Sequence, residues 1–197
     1  PLASAGDVPA LATSDDVGNP QQETRFFQPF VASIATVGDR CYVAARRYER
    51  DGEAPEGERR QFESVVYALE GNGEEAWRYE TDASPIALAA DGDRVAVAYN
   101  RCPGDYQHGL AVLDAATGTE RLLWDPGTAG QRRVGDVALL GDGLVCCSHG
   151  DYRGYRLDSS GAVRWRVDLG CPVDREGETV YAYPNHVHAT ADGVAFV

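Results

Sequence analysis

The chain has 197 residues, of which 31 are Asp or Glu and 18 are Lys or Arg, so its formal net charge is −13 at pH 7. All of those basic residues are arginines. Such an acidic surface repels nucleic acid phosphates and anionic lipid headgroups, so both are expected to be poor partners and no nucleic acid is predicted to bind. No apolar run approaches the roughly 18 residues that a spanning helix needs, so insertion into a membrane is also excluded.

Residues 1–30 are rich in Ala, Ser, Asp and Pro, and they are predicted to form an N-terminal segment or a connection between repeat units. Beyond them, a glycine turn followed by an apolar run occurs at Gly38, Gly92 and Gly141, with a partial copy at Asp192. Each of these turns separates two apolar segments, which is typical of a β-hairpin.

A second phrase recurs between these turns. Copies begin at Tyr67, Ala111 and Tyr155, 44 residues apart, each with leucine in third place and an acidic residue in fourth. A glycine follows each copy, and four residues later comes a large apolar side chain; these pairs are Gly73 and Trp77, Gly118 and Leu122, and Gly161 and Trp165. A period of this length indicates a repeat architecture.

Together the two phrases describe a unit of four strands, which in the second unit are roughly 85–90, 94–99, 110–114 and 119–124. No window shows sustained helical periodicity. The sequence therefore predicts an all-β fold, a β-propeller of four-stranded antiparallel blades with about three and a half blades present. The predicted blades are 31–82, 83–130, 131–170 and, as a crossover with the first strands of an incomplete fourth, 171–197.

The repeated phrases resemble a known family. Leu113-Asp114-Ala115-Ala116-Thr117-Gly118, followed by Leu122 and Trp124, is similar to the tryptophan-docking motif of quinoprotein-like β-propellers (PQQ-like, WD40-like). The copies around Gly73 and Gly161 are similar too, and the six residues interpreted as structural are Trp77, Trp124, Trp165, Gly73, Gly118 and Gly161. A large aromatic on the last strand of a blade fills the wedge between neighbouring blades. The family includes dehydrogenases and assembly scaffolds, so the resemblance implies the fold rather than an activity.

The acidic, lysine-free composition resembles that of haloarchaeal proteins, in which molar salt screens the self-repulsion. A GC-rich genome is the alternative explanation. The halophilic interpretation predicts that the protein loses stability in low salt.

Because propellers have about four to eight blades, three and a half do not close a ring. We expect the remaining blades to belong to the same longer chain, or alternatively to a second chain.

Loop lengths distinguish the two faces of the predicted propeller. The turns between first and second strands and between third and fourth strands are tight, whereas the loops on the other face are long; these are 46–64, 100–109, 125–134 and 171–185. Long loops on a rigid scaffold commonly carry function. The long-loop face is therefore predicted to dock a protein or a small-molecule ligand.

The candidate pocket on this face comprises His186, His188, His149, His108, Tyr183 and Asn185. His186 and His188 lie on the same side of an extended segment because side chains alternate along a strand. They are interpreted either as polar residues bonded to crossover backbone or as substrate-binding or catalytic groups. No catalytic residue is assigned and no metal site is predicted; His186 and His188 are weak candidate ligands, which would need a third such as His149, His108 or Asp174.

Five cysteines occur: Cys41, Cys102, Cys146, Cys147 and Cys171. In quinoprotein dehydrogenases of the resembling family, adjacent cysteines form a disulfide beside the cofactor. Here Cys146 and Cys147 align with the body of a second strand, where closing that ring would break the ladder. We therefore expect ordinary strand thiols and no cofactor, PQQ included.

The odd cysteine count favours a reducing compartment, and no signal peptide is visible, so a cytoplasmic protein is expected. An extracellular location is the alternative if a segment precedes Pro1. The predicted function is a binding or scaffold protein that docks partners on its long-loop face. The alternative is a propeller enzyme acting on a small substrate, with a quinone-dependent dehydrogenase as its disfavoured version.

Overall fold

A computed structural model describes residues 24–26, 30–51, 60–101, 108–127, 133–182, 184–190 and 192–197. Every regular element in these ranges is a β-strand. No helix of the described residues is long and apolar enough to cross a membrane.

The first sheet has five strands, of which β2 to β5 form an antiparallel meander and β1 pairs with the far end of β3. Their bounds are β1 Thr24–Phe26, β2 Phe30–Val37, β3 Arg40–Asp51, β4 Arg60–Leu69 and β5 Glu75–Thr81.

Two further four-stranded antiparallel sheets follow. In the second sheet the strands are β6 Ser84–Ala90, β7 Arg94–Arg101, β8 Leu110–Asp114 and β9 Glu120–Trp124. In the third they are β10 Val134–Leu140, β11 Gly143–Ser148, β12 Arg153–Leu157 and β13 Val163–Asp168. Both sheets keep their strands in chain order. The predicted all-β fold of four-stranded antiparallel blades is confirmed.

The remainder of the chain forms two hairpins. The segment between the third and fourth blades, predicted as a loop, contains the hairpin of β14 Cys171–Arg175 and β15 Glu178–Ala182. Its tight turn at Glu176 and Gly177, both with positive φ, folds the crossover back on itself. The last hairpin, β16 Val187–Thr190 with β17 Gly193–Phe196, lies beside β10 and comprises the residues that the sequence analysis assigns to the first strands of a fourth blade.

The core lies between the blades. One buried cluster joins the first and second blades and includes Tyr42, Trp77 and Leu113, and another joins the second and third blades and includes Leu110, Leu144 and Tyr155. Alternate side chains of each strand face opposite neighbours, so a central blade is buried on both sides. Val95 to Tyr99 of β7 are all buried for this reason.

Candidate binding site

On the long-loop face, Asp136 joins the innermost strands of the third and fourth blades. Its Oδ2 accepts a hydrogen bond from the backbone N–H of Val187 at 2.9 Å, and His186 Nδ1 lies 3.5 Å from the same oxygen. Its Oδ1 accepts from the N–H of Val137 at 2.9 Å. The carboxylate is largely buried, with 17% of the side chain exposed, whereas His186 is 69% exposed.

The contact between Asp136 and Val187 has a counterpart earlier in the chain. Ser33 occupies the position of Asp136 in the first blade, and its Oγ accepts from the N–H of Leu88 in the second blade at 3.1 Å. Both residues follow a β-bulge in the innermost strand. The structural role of Asp136 is therefore to connect two blades by a hydrogen bond. This connection is the joint at Asp136, and His186 lies beside it.

His149 lies close to the same joint but is enclosed. It follows β11, its backbone N–H donates to Arg133 O at 3.0 Å, and its ring covers Gly135. Burial lowers the pKa of His149, despite a hydrogen bond to the backbone of Pro184 that opposes the shift. Its imidazole is neutral at pH 7, and a neutral ring is suited to hydrogen bonding rather than to ion pairing.

The other predicted pocket residues are dispersed. His108 lies in the second blade with its Nδ1 4.0 Å from Asp125 Oδ2. His188 and Asn185 are exposed, and the backbone N–H of Asn185 donates to Val197 O at 2.7 Å. Tyr183 falls outside the described residues. Asp136 is thus near both His186 and His149, and the described residues contain no group of three or more His, Cys, Asp or Glu side chains placed to hold a metal ion.

Cys146 and Cys147 lie in the interior of β11 as free, buried thiols. Burial raises the pKa of Cys146 well above its usual range and that of Cys147 to about 12. Neither sulfur is a thiolate at neutral pH, so neither is a ready nucleophile or metal ligand.

The crossover hairpin β14–β15 projects from the long-loop face. All residues from Cys171 to Ala182 are exposed. At its base, the Tyr181 ring stacks on Tyr152 of the third blade with ring centroids 5.4 Å apart and 12° between the planes. Tyr152 has a positive φ of 59° and accepts the N–H of Leu169 through its carbonyl at 2.9 Å.

On the tight-turn face, the repeat residues connect one blade to the next. Trp77, on the outer strand of the first blade, is 8% exposed and packs on Gly118 in the turn of the second blade. Its Nε1 donates to Ala115 O in that turn at 3.1 Å. Leu122 of the second blade packs in the same way on Gly161 of the third.

The remaining repeat residues differ in their surroundings. Trp124 meets the ring of Tyr155 edge-on at 5.1 Å, inside the interface of the second and third blades. Trp165 is 40% exposed and meets only the edge of Phe196, at 6.4 Å, among the described aromatic rings. Gly73 has a φ of +85° and nothing within 4 Å of a Cβ built on it.

Arg94 connects the tight turns of the second and third blades by hydrogen bonds. Its guanidinium donates to the carbonyls of Gly141 at 2.9 Å, Asp142 at 2.8 Å and Gly143 at 3.3 Å, and it also pairs with Asp91. Partial burial tends to raise the pKa of Asp91, but the hydrogen bonds that its carboxylate accepts from Arg94 and from the backbone lower it.

Beside Arg94 is a cavity of about 500 Å³ between these two blades. It is lined by Asp91, Asp93, Arg94, Val112, Arg121, Leu122, Gly141, Asp142, Gly143, Leu144, Asp158 and Ser159. The sequence predictions placed ligand binding on the other face and did not include this cavity. The signal that pointed to it was a difference between repeat copies, in which Leu122 stands where the neighbouring copies have tryptophan.

Comparison with known proteins decides the family. The model of a PQQ-like repeat family, described as outer membrane protein assembly factor BamB, matches residues 62–179, which is more than half of the chain. The chain belongs to this family. No curated protein matches it.

Solved structures resemble this PQQ-like chain at low sequence identity. BamB from Moraxella catarrhalis is 17% identical, with a TM-score of 0.46, over 83% of this chain and 59% of that one. Glutaminyl cyclase from Myxococcus xanthus is 12% identical, with a TM-score of 0.44, over 87% of this chain and 65% of that one. The chain thus spans less than two thirds of either structure.

Proposed function

We propose that this PQQ-like propeller is a protein-binding scaffold whose long-loop face docks the partner. The observation that carries the proposal is the crossover hairpin β14–β15, which extends into solvent from that face. It exposes large apolar side chains; Val173 is 43% exposed, Val180 41% and Tyr181 49%.

Two of these side chains, Val173 and Val180, form one patch, whereas Tyr181 faces the other side of the hairpin and stacks on Tyr152. Val173 is directly opposite Val180 in the antiparallel register, so the two share a face of the hairpin. Clustered apolar side chains in water are typical of surfaces that bind other proteins. Neither outer edge of this hairpin is paired among the described strands, so its backbone groups are available to a partner strand.

The hairpin is also held in place before any partner arrives. The stack of Tyr181 on Tyr152 fixes its base against the third blade. A binding element that is already ordered loses less conformational entropy when it binds. At its tip, Asp174, Glu176 and Glu178 outnumber Arg175, which favours a partner surface with basic residues.

The description of the family as an assembly factor supports a protein partner over a small substrate. Asp136, His149 and His186 serve this proposal as the joint that holds the fourth-blade hairpin, and no catalytic step is assigned to them.

Site-specific photo-crosslinking in the producing cells tests the docking face. A photoreactive amino acid replaces Val180 on the hairpin or, as the matched control, Thr117, which is exposed on the tight-turn face. We expect a discrete cross-linked partner at position 180, identified by mass spectrometry, and none at position 117. The additional substitution Val173→Asp should abolish that product without changing the melting temperature. Equal products at both positions, or none at position 180, would refute this docking face.

A further inference from the structure

The turn of the crossover hairpin determines which backbone groups its two strands use to pair with each other. Only Glu176 and Gly177 separate β14 from β15, and both have positive φ, at 56° and 84°. Positive φ at both central residues is characteristic of a type I′ turn. With a two-residue loop, the residues on either side of the turn exchange both of their backbone hydrogen bonds. Arg175 and Glu178 are therefore a hydrogen-bonded pair.

The two outer edges of the hairpin differ in the groups that they offer. In an antiparallel pair, every second pair of residues points its N–H and C=O groups outward. Counting back from the turn, these outward pairs are Asp174 with Thr179 and Pro172 with Tyr181. The β15 edge therefore offers both an N–H and a C=O at Thr179 and at Tyr181. The β14 edge is incomplete, because Pro172 has no N–H.

The side chains along the β15 edge indicate what an added strand carries. Val180 lies between the two outward-pointing residues of β15, shares a face of the hairpin with Val173 and is 41% exposed. An apolar residue opposite Val180 would extend this patch. Glu178 lies two positions away on the same face, with Arg175 across from it on the β14 side. The side of Glu178 that faces away from Arg175 borders the β15 edge, where a basic residue complements its charge.

We propose that the partner adds an extended segment antiparallel to β15, an inference that rests on the docking face proposed above. In this segment an apolar residue lies opposite Val180 and, two residues later, Lys or Arg lies opposite Glu178. Antiparallel pairing is the more stable arrangement per residue. The added strand bonds to the backbone of Thr179 and Tyr181 and leaves the β14 edge free. Two copies of this chain, each with a net charge of −13, repel each other, which favours a basic segment of another protein.

Proline substitutions at the two edges test this mode of binding, with the photoreactive residue kept at position 180. Thr179→Pro removes an outward N–H from β15 without removing a hydrogen bond within the hairpin, and we expect at least about a fivefold loss of the cross-linked partner. Asp174→Pro is the matched control on β14 and should leave the yield unchanged, although it also loses the hydrogen bond from the Gly177 N–H to Asp174 Oδ1. Both variants should keep the melting temperature of the unmodified protein.

The outcomes distinguish this mode of binding from the docking face itself. No product at position 180 without either proline would refute the docking face, and strand addition with it. A product that Thr179→Pro leaves undiminished, or that both folded proline variants lose equally, would overturn strand addition at β15 while the docking face stands. A product made of two copies of this chain would likewise overturn the basic partner segment.

A synthetic peptide provides a second test that needs no hairpin variant. The capped peptide Ile-Thr-Val-Thr-Arg-Lys places its valine opposite Val180 and its arginine opposite Glu178. In NMR titrations we expect saturable shifts of the Thr179 and Tyr181 amides that exceed the shift of Asp174. Methylation of the backbone nitrogen of the second threonine, which bonds to the Thr179 carbonyl, should weaken binding at least about fivefold. Equal binding of the two peptides, no saturable shifts, or shifts concentrated on β14 would each overturn the proposal.

Discussion

The contact between Trp77 and Gly118 can be tested by adding one methyl group. Gly118 has a φ of +72°, and a Cβ placed on it would lie 2.7 Å from Trp77 Cδ2 and Cε3. Real Cβ atoms essentially never approach another atom so closely, so Gly118→Ala must displace the indole from its buried position. The displacement also breaks the hydrogen bond from Trp77 Nε1 to Ala115 O.

Gly73→Ala is the matched control, because Gly73 has a similar φ of +85° and open space around its Cβ position. Both substitutions place an L-residue in the left-handed region, at about 1–2 kcal/mol each. Gly118→Ala adds roughly 1–3 kcal/mol for overpacking and about 1 kcal/mol for the lost hydrogen bond. We therefore expect Gly118→Ala to reduce the free energy of unfolding by about 2–4 kcal/mol more than Gly73→Ala does.

Urea unfolding of the two variants and the unmodified protein, followed by circular dichroism at one fixed salt concentration, measures this difference. Tryptophan fluorescence of the folded Gly118→Ala protein should also shift to longer wavelength, because the indole of Trp77 becomes more exposed to water. A difference between the two variants of less than about 0.5 kcal/mol, the scatter of surface substitutions, would show that the docking contact does not stabilise the interface.

Two further predictions concern protons and thiols. Hydrogen bonds from Arg121 and Thr117 lower the pKa of Asp114 to about 2. The ionised carboxylate therefore stabilises the folded protein above the ordinary carboxyl pKa near 4, and this contribution is lost as the pH falls towards 2. Thermal melts should therefore show a shallower loss of stability between pH 4 and 2 for Asp114→Asn than for the unmodified protein. In the native protein at pH 8, a thiol reagent followed by peptide mass spectrometry should modify Cys171, which is exposed, and spare the buried Cys146 and Cys147 until urea is added. Labelling of all three cysteines at the same rate would contradict the buried position of Cys146 and Cys147 in β11.

The fold was predictable because its signals are local. A glycine turn between two apolar runs specifies a hairpin wherever it occurs, and the copies at Gly38, Gly92 and Gly141 each form one between the first two strands of a blade. The predicted strand 110–114 matches the observed Leu110–Asp114. The crossover hairpin was not predicted, because its strands lack the apolar alternation of the blades; both are exposed on all positions.

The site was less predictable because it depends on contacts between copies. The sequence shows that Leu122 stands where the first copy has Trp77, but it does not show that Leu122 packs on the third-blade turn at Gly161. Likewise, His186 and His149 lie far apart in sequence, and it is the joint at Asp136 that brings His186 to 3.5 Å from a carboxylate. A sequence pattern predicts which face of its own strand a side chain occupies, but not which residue of the next blade it contacts.

The direction of the docking contacts has a consequence for biosynthesis. Trp77 belongs to the first blade but is covered by Gly118 of the second, and Leu122 of the second blade is covered by Gly161 of the third. On the ribosome, the indole of Trp77 therefore stays accessible to solvent and chaperones until the chain as far as Gly118 has emerged. Each blade is completed only after most of its successor has been translated, so the folding unit extends most of a repeat beyond the repeat written in the sequence.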